Sequence, residues 1–177
     1  ILVFAIKAAV VPLHFWLPSS YAEAPAPVAA LFAIMTKVGA YAIIRVYTMI
    51  FPPDLEITAG LQGDWLLPAA LLSVALGMVG VLAAKRLDRL VAFSVIGSMG
   101  MVMVAISLFT PEGIAAALYY IVHSTLAAAA LFLIADMVRS GRDNLGLTAQ
   151  PPIAGSALTA AFFFVGAIAV AGLPPLS

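Results

Sequence analysis

The sequence contains no cysteine and few charged residues. Of its 177 residues, 9% are charged and 64% are apolar, and the mean hydropathy is +1.16. Soluble domains are about 25% charged, so this chain has too few polar groups to cover a water-soluble surface. The lack of cysteine excludes disulfides, thiolate metal sites and cysteine nucleophiles. A formal net charge of zero leaves no basic surface for a nucleic acid, so soluble enzymes and nucleic-acid binders are both excluded.

The two ends of the sequence both lie beside apolar runs. The chain opens within such a run, Ile1–Phe4, and stops at Ser177 directly after another. No secretory signal peptide is recognisable. We therefore expect one transmembrane domain over 1–177, as an internal fragment of a longer membrane subunit with both ends truncated.

Six segments are long and apolar enough to be membrane-spanning helices. A span needs about 20 mostly apolar residues, and continuous apolar runs favour helices over strands. We predict an all-α, polytopic transmembrane helical bundle with about six spans, at 1–17, 27–51, 65–84, 90–109, 113–138 and 153–173. Proline interrupts a helix because it lacks an N–H. Discontinuous helices are therefore predicted near 7–18, at Pro12, and near 172–177, at Pro174 and Pro175.

Charged residues outside these spans are unequally distributed. The basic ones lie between the third and fourth spans and after the fifth: Lys85, Arg86, Arg89, Arg139 and Arg142. The acidic ones lie between the second and third spans and between the fourth and fifth: Asp54, Glu56, Asp64 and Glu112. If the spans alternate in direction, all basic segments fall on one side of the membrane. The preference of basic loops for the cytoplasm predicts that this side is cytoplasmic.

Two lysines lie within predicted spans. An ionisable group in the bilayer costs a few kcal/mol and marks a functional candidate. Lys7 precedes Pro12, so an opened helix could bring water and free carbonyls to its amine, although it could also snorkel to the interface. Lys37 lies about ten residues into its span, roughly 15 Å along the helix, where snorkelling is difficult. We interpret Lys37 as a proton carrier, with a structural buried ion pair as the alternative.

His123 lies near the middle of the fifth predicted span, before Ser124 and Thr125. Histidine changes charge near neutral pH, which suits a proton relay. The alternative is a buried packing residue with a satisfied hydrogen bond. Because the second histidine, His14, is distant in the sequence, no metal site is predicted.

Three further residues lie near the ends of predicted spans. Arg45 and Asp136 are expected to be interfacial anchors or ion-pair members rather than relay groups. His14 lies beside Trp16 and Pro18, which suggest a helix end near the lipid headgroups. His14 could line an access path there or cap the helix end.

Several spaced motifs resemble those of the proton-conducting antiporter-like membrane subunits. This family includes the large antiporter-like subunits of respiratory complex I and those of the multi-subunit Na+/H+ (Mrp/Pha) antiporters. The motifs are Phe4–Lys7, Pro12–Pro18, Ala24–Pro25, Lys37–Tyr41 with Arg45, Asp88–Ser94 and Gly172–Ser177. Finer features, such as Phe15 before Trp16 and His123–Thr125 with Leu131–Asp136, most resemble the D-type subunits of the Mrp/Pha antiporters.

The resemblance implies roles for individual residues. Lys7 matches the family's lysine at the first broken helix, Lys37 the lysine on the next helix, and His123 a polar relay position. Ser98 stands where complex I relatives often carry a histidine, so it is at most an accessory member of the relay.

The resemblance also implies a function. It indicates a proton-translocating subunit of a monovalent cation (Na+ or K+)/H+ antiporter, without enzymatic activity, cofactor or metal of its own. Its expected partners are other antiporter subunits, the lipid bilayer, protons and Na+ or K+, and its expected location is the bacterial plasma membrane. The alternative is a proton-pumping, non-redox subunit of complex I or of a membrane-bound hydrogenase.

Overall fold

The computed structural model describes residues 2–51, 60, 62–142, 144–149 and 156–172, and these residues form an α-helical bundle. In chain order its helices are α1 (Leu2–Lys7), α2 (Trp16–Glu23), α3 (Ala26–Met49), α4 (Leu67–Ala83), α5 (Leu87–Ser107), α6 (Pro111–Arg142) and α7 (Ser156–Ala171). A π-helical turn at Gln62–Leu66 runs directly into α4. The described residues include no β-strand, and the all-α prediction is confirmed.

Four stretches of helix are long and apolar enough to cross a membrane. They are Ala26–Met49, Gly63–Ala83, Leu87–Ser107 and Pro111–Arg142, which correspond to the second to fifth predicted spans. The apolar helix α7 has 16 residues, and the start of the sixth predicted span, 153–155, lies outside the described residues. The described part of the chain thus confirms a helical membrane bundle, with four long spans where the sequence predicts six.

The first predicted span is two helices separated by a break. α1 ends at Lys7, the chain passes Pro12 in irregular turns, and α2 begins at Trp16. Ala9 has a φ of 53°, outside the right-handed helical region, and Pro12 cannot donate a backbone hydrogen bond. The discontinuity predicted near 7–18 is therefore confirmed.

Trp16 and Pro18 begin a helix rather than end one, so that part of the sequence interpretation is wrong. Pro18 lies in the first turn of α2, where backbone N–H groups have no intrahelical partner. A proline loses nothing there. The second predicted discontinuity, with Pro174 and Pro175, lies outside the described residues. Gly172, the last described residue of the chain, follows α7 with a φ of 67°, as is common after a helix end.

Glycines allow α4 and α5 to pack with their backbones in close contact. A Cβ atom placed on Gly77 would lie 2.6 Å from the Cα atom of Gly97. One on Gly100 would lie 2.6 Å from the backbone nitrogen of Val74. Small residues are the usual means of close helix approach in membranes. α5 also packs against α2, α3 and α6, which places it at the centre of the bundle.

The two ends of the bundle differ in charge. At one end, which we call the basic end, Arg139 of α6 contacts Asp88 of α5, close to Lys85, Arg86 and Arg89. At the opposite end, Trp65 donates to the Tyr47 hydroxyl and Tyr47 packs edge-on against Phe109. Asp64 and Glu112 lie at this opposite end, in the π-helical turn and the first turn of α6. The predicted segregation of charge is confirmed for these residues, while Asp54 and Glu56 lie outside the described ones.

Candidate functional site

Lys37 is buried near the middle of α3. Its side chain is 2% exposed, and its Nζ donates a hydrogen bond of 3.2 Å to the Oγ of Ser98 on α5. The Ser98 hydroxyl in turn donates to the carbonyl of Val95 at 2.8 Å. Lys37 therefore does not snorkel to a described surface of the bundle, and its partner is a neutral hydroxyl rather than a carboxylate.

The helical spacing of small residues turns Lys37 inward. Ala33 and Ala40 lie four residues before and three residues after Lys37, and both are fully buried on the same face of α3. Gly39, two residues after Lys37, packs against the backbone of the broken helix at Phe4 and Ala8. A Cβ atom on Gly39 would lie 2.8 Å from the Ala8 backbone nitrogen. α3 is thus fixed between the broken helix and α5.

A small cavity connects Ser98 with His123. Its volume is about 10 Å³, and the polar side chains that line it are Ser94, Ser98, Tyr120, His123 and Ser124. A polar cavity of this size holds about one water molecule. Ser98 therefore contacts Lys37 on one side and, on the other, a space that reaches His123. The structure brings together three predicted site residues: Lys37, Ser98 and His123.

His123 also links α6 to α7. Its Nε2 lies 2.8 Å from the carbonyl oxygen of Ala169. Because a carbonyl can only accept, this contact assigns the hydrogen of the neutral ring to Nε2. Nδ1 is then the nitrogen left free to accept a proton.

Lys7 lies apart from this group. It is the last residue of α1 and is exposed, and no hydrogen bond or ion pair connects it to another described residue. A cation at the end of a helix is favoured by the helix dipole. The relay role of Lys7 stays a prediction, because the described residues do not join Lys7 to Lys37 or His123.

The accessory residues are dispersed. His14 lies in the turns between α1 and α2, half-buried, and its Nδ1 has no hydrogen-bond partner among the described residues. Arg45 is exposed in the last two turns of α3, and its role as an interfacial anchor or ion-pair member stays a prediction. Asp136 is half-buried near the basic end, where it lines a small cavity with Asp88 and Arg139. No group of three His, Asp or Glu side chains in the described ranges could hold a metal ion.

Sequence reasoning missed the buried carboxylate of Asp88. It is 3% exposed and accepts hydrogen bonds from Arg86 Nε at 3.1 Å and from the Arg89 backbone N–H at 2.8 Å. The guanidinium of Arg139 lies 3.5 Å away. The hydrogen bonds and charge of Asp88 raise the pKa of Arg86 above its usual value. A lone acid within a run of basic residues is the sequence signal for such a cluster.

Two contacts that satisfy the broken helix were also missed. The buried Ser73 of α4 accepts from the Val11 N–H at 2.9 Å and donates to Ala69 at 2.7 Å. Trp16 donates its indole N–H to the Ile6 carbonyl at 3.0 Å. The Ser73 contact satisfies a backbone N–H that the break leaves without a helical partner. The Ile6 carbonyl also accepts from the Ala9 N–H at 3.0 Å, so Trp16 adds a second donor to it. Neither partner is predictable from local sequence.

These features define a class: a helical membrane protein with a broken helix and a buried amine, hydroxyl and imidazole at its centre. Over residues 1–177 the sequence matches the family described as NADH:quinone oxidoreductase/Mrp antiporter, TM. The chain belongs to this family.

Similar proteins include antiporter subunits and a complex I component. The chain is 40% identical to the D subunit of the Na(+)/H(+) antiporter of Bacillus subtilis (strain 168), over all of this chain and 36% of that protein. It is 37% identical to the D subunit of a probable K(+)/H(+) antiporter of Rhizobium meliloti (strain 1021), over 98% of this chain and again 36% of the relative. The chain thus spans about a third of the length of these relatives.

Two solved structures share the fold. A chain of the Mrp complex from Dietzia sp. DQ12-45-1b superposes with a TM-score of 0.86 and 30% identity, over 98% of this chain and 32% of that one. A chain of respiratory complex I from Thermus thermophilus superposes with a TM-score of 0.85 and 32% identity, over 98% of this chain and 37% of that chain. The two superpositions are of equal quality, so the fold alone does not separate the two assemblies.

Proposed function

We propose that this chain is part of the proton-translocating subunit of a multi-subunit monovalent cation (Na+ or K+)/H+ antiporter in the bacterial plasma membrane. Its partners would be the other subunits of that antiporter. The observation that carries the proposal is the buried contact between Lys37 and Ser98, which opens through a water-sized cavity to His123. The names of the relatives support the antiporter assignment.

The geometry supports proton transfer across the centre of the bundle. Lys37 donates to Ser98, whose hydroxyl can rotate from the Val95 carbonyl toward the cavity. A water in the cavity would accept the proton and pass it to Nδ1 of His123. The first step joins groups within hydrogen-bonding distance, as efficient proton transfer requires, and Ser98 and His123 line the same cavity for the second. The route needs no histidine at position 98, because a hydroxyl and one water span the same gap.

The test is the substitution Lys37→Ala in the full-length subunit within its assembled complex. We expect it to abolish Na+- or K+-dependent proton exchange in everted membrane vesicles, since no other buried amine occurs among the described residues. Lys85→Ala removes an exposed lysine and is the matched control, with exchange expected at the unsubstituted level. Normal exchange in Lys37→Ala would reject the proposed role.

The alternative is a proton-pumping subunit of respiratory complex I or a membrane-bound hydrogenase. It is favoured by the superposition on the Thermus thermophilus complex I chain. This module would conduct protons in the same way there, driven by electron transfer in partner subunits. Cation/proton exchange by the purified complex without any electron donor supports the antiporter. Proton transport that requires NADH or hydrogen oxidation supports the alternative.

A further inference from the structure

We infer that a cavity between α6 and α7 at the basic end of the bundle binds the phosphate of an anionic phospholipid, with Arg142 as the residue that holds it. We call it the Arg142 cavity. Its volume is about 330 Å³, within the usual range of small-molecule sites, about 300–1,000 Å³. The inference does not rest on the proposed function, because it concerns a lipid at the edge of the bundle rather than protons at its centre.

Arg142 lacks a partner for a buried N–H group. It is the last residue of α6, and its Nε atom is buried with no hydrogen-bond partner among the described residues. Arg86 and Arg139, by contrast, both contact the carboxylate of Asp88. A buried donor without an acceptor is rare and costly in a folded protein. An anion in the Arg142 cavity would supply the acceptor, and the other two arginines already have one.

The α6 and α7 helices run in opposite directions. His123 of α6 contacts Ala169 near the end of α7, whereas Gly166, earlier in α7, lies against Leu131, later in α6. The end of α6 and the start of α7 therefore both lie at the basic end. Each step back along α6 or forward along α7 leads from that end toward the centre of the bundle.

The walls of the Arg142 cavity become apolar with depth. Its polar side chains, those of Arg142, Thr148, Ser156 and Thr159, all lie in the α6–α7 connection or within a turn of it. Two apolar wall residues lie deeper. Val138 precedes Arg142 by four residues and Phe163 follows Ser156 by seven, or about 6 and 10 Å at 1.5 Å per residue. A phospholipid has the same arrangement, with its phosphate at the membrane surface and its acyl chains below.

The connection that closes the Arg142 cavity is fixed by backbone hydrogen bonds. The Leu145 carbonyl accepts from the Leu87 N–H at 2.8 Å, and the Leu147 N–H donates to the Lys85 carbonyl at 3.1 Å. Leu145 and Leu147 both line the cavity, and Leu87 is the first residue of α5. The wall is thus formed before a ligand binds, which lowers the entropic cost of binding.

The chemistry of the walls favours a phospholipid over a free anion. A guanidinium presents a planar set of N–H donors that matches the oxygens of a phosphate. The hydroxyls of Thr148, Ser156 and Thr159 line the same cavity and can donate to further oxygens. A free phosphate would leave the apolar walls in contact with water, whereas an acyl chain covers them. Basic pockets between helix ends at a membrane surface typically bind anionic headgroups.

The experiment uses the full-length subunit in its assembled complex, made free of other cysteines and delipidated in detergent. Ala160→Cys places a thiol on the wall of the Arg142 cavity. Ala161→Cys, the matched control, places one on the next residue of α7, which is exposed and does not line the cavity. The reaction rate of each thiol with methyl methanethiosulfonate is measured during titration with phosphatidylglycerol, with phosphatidylcholine of the same acyl chains and with inorganic phosphate.

We expect phosphatidylglycerol to slow the reaction of Ala160→Cys at a concentration about fivefold lower than phosphatidylcholine requires, the factor expected for one arginine near a membrane surface. Arg142→Gln should abolish this preference, and Arg142→Lys should retain part of it. Arg89→Ala, which removes an exposed arginine of the same end, should leave it unchanged. At Ala161→Cys the two lipids should act alike.

Three results would overturn the inference. The first is equal protection of Ala160→Cys by the two lipids. The second is protection by inorganic phosphate at the same concentration as by phosphatidylglycerol, since the cavity would then hold a free anion. The third is a preference for phosphatidylglycerol that survives Arg142→Gln, which would show that Arg142 does not hold the phosphate.

A count of bound lipids by native mass spectrometry needs no introduced thiol. We expect the complex with Arg142→Gln to retain one phosphatidylglycerol fewer per copy of this subunit than the unsubstituted complex. The complex with Arg89→Ala should retain the full number, and equal counts in all three complexes would contradict the site. Neither measurement requires transport, so the result for Lys37→Ala and the result for the Arg142 cavity stand or fail separately.

Discussion

At the scale of single residues, the most informative feature is that a hydroxyl binds the buried amine. Ser98 is the hydrogen-bond partner of Lys37, and its own helix supplies the carbonyl that orients it. A neutral partner lets the amine exist with or without its proton, whereas a buried carboxylate would favour the charged form. The contact therefore suits a group that must change charge during transport.

Replacement of this hydroxyl should be more damaging than its small size suggests. We expect Ser98→Ala to lower the exchange rate about tenfold, because an unpaired buried polar group costs about 1–3 kcal/mol. Ser98→Thr keeps the hydroxyl and should retain most of the activity. The measurement is initial exchange rate in vesicles at matched amounts of assembled complex. Equal rates for the alanine and threonine variants would show that the hydroxyl has no part in transfer.

The sequence predicts whether Lys37 is buried more reliably than it predicts which residue Lys37 hydrogen-bonds. The position of Lys37 within an apolar run predicts its burial, and the structure confirms it. Its bond to Ser98 could not be predicted, because 61 residues separate the two and helix pairing brings them together. Lys7 shows that an apolar run does not always bury its charged residue. The run around Lys7 is apolar, yet Lys7 is exposed at the end of α1.

At the scale of helices, the break between α1 and α2 is held by side chains from elsewhere in the fold. Pro12 predicts that the helix breaks but not how the freed backbone groups are satisfied. Ser73 of α4 supplies the partner of the Val11 N–H, and Trp16 of α2 adds a second donor to the Ile6 carbonyl. The local sequence thus predicts the interruption, while its geometry depends on tertiary contacts.

Ser73→Ala should destabilise the break. It leaves the buried Val11 N–H without a partner, and we expect a loss of about 1–3 kcal/mol in the free energy of unfolding. Thermal unfolding of the detergent-solubilised complex measures this loss. Ser107→Ala is the matched control, because Ser107 is also buried in a long helix but bonds only within it, to Val104. Identical melting temperatures of the two variants would show that the Ser73 hydrogen bond does not stabilise the break.

The close approach of α4 and α5 yields a second prediction at this scale. Gly77→Ala places a Cβ 2.6 Å from the Cα of Gly97, so the helices must separate. We expect a destabilisation of about 1–3 kcal/mol, the usual cost of overpacking. Gly63→Ala is the comparison, since nothing lies within 4 Å of a Cβ there. If both variants unfold at the same temperature, the glycine contact contributes no specific packing.

At the scale of the whole molecule, the basic and acidic segments between the helices lie at opposite ends of the bundle. The contact between Arg139 and Asp88 shows that the two basic segments meet at one end, as the sequence predicts from alternating spans. Composition therefore predicts the fold class, and charge predicts which segments share an end, while the cytoplasmic location of the basic end stays a prediction. Composition and charge do not predict the cavity lined by Asp88, Asp136 and Arg139 at the basic end, which forms only where several helices converge.

Single cysteines test this orientation. Lys85→Cys and Glu112→Cys place exposed thiols at the two ends. With a membrane-impermeant maleimide, we expect Glu112→Cys to react in intact cells and Lys85→Cys only in everted vesicles, because basic segments prefer the cytoplasm. Ser140→Cys, also exposed at the basic end, should react under the same conditions as Lys85→Cys. Reaction of both ends from one side would contradict the assigned topology.

The length of α6 has a consequence for how the protein sits in its surroundings. A helix of 32 residues is about 48 Å long at 1.5 Å per residue, well above the roughly 30 Å of hydrocarbon in a bilayer. The excess is about three turns, which tilting alone does not absorb at ordinary angles. The terminal turns of α6, with Arg139 and Arg142, therefore stand in the aqueous boundary layer, where small changes in bilayer thickness would alter how much water they meet.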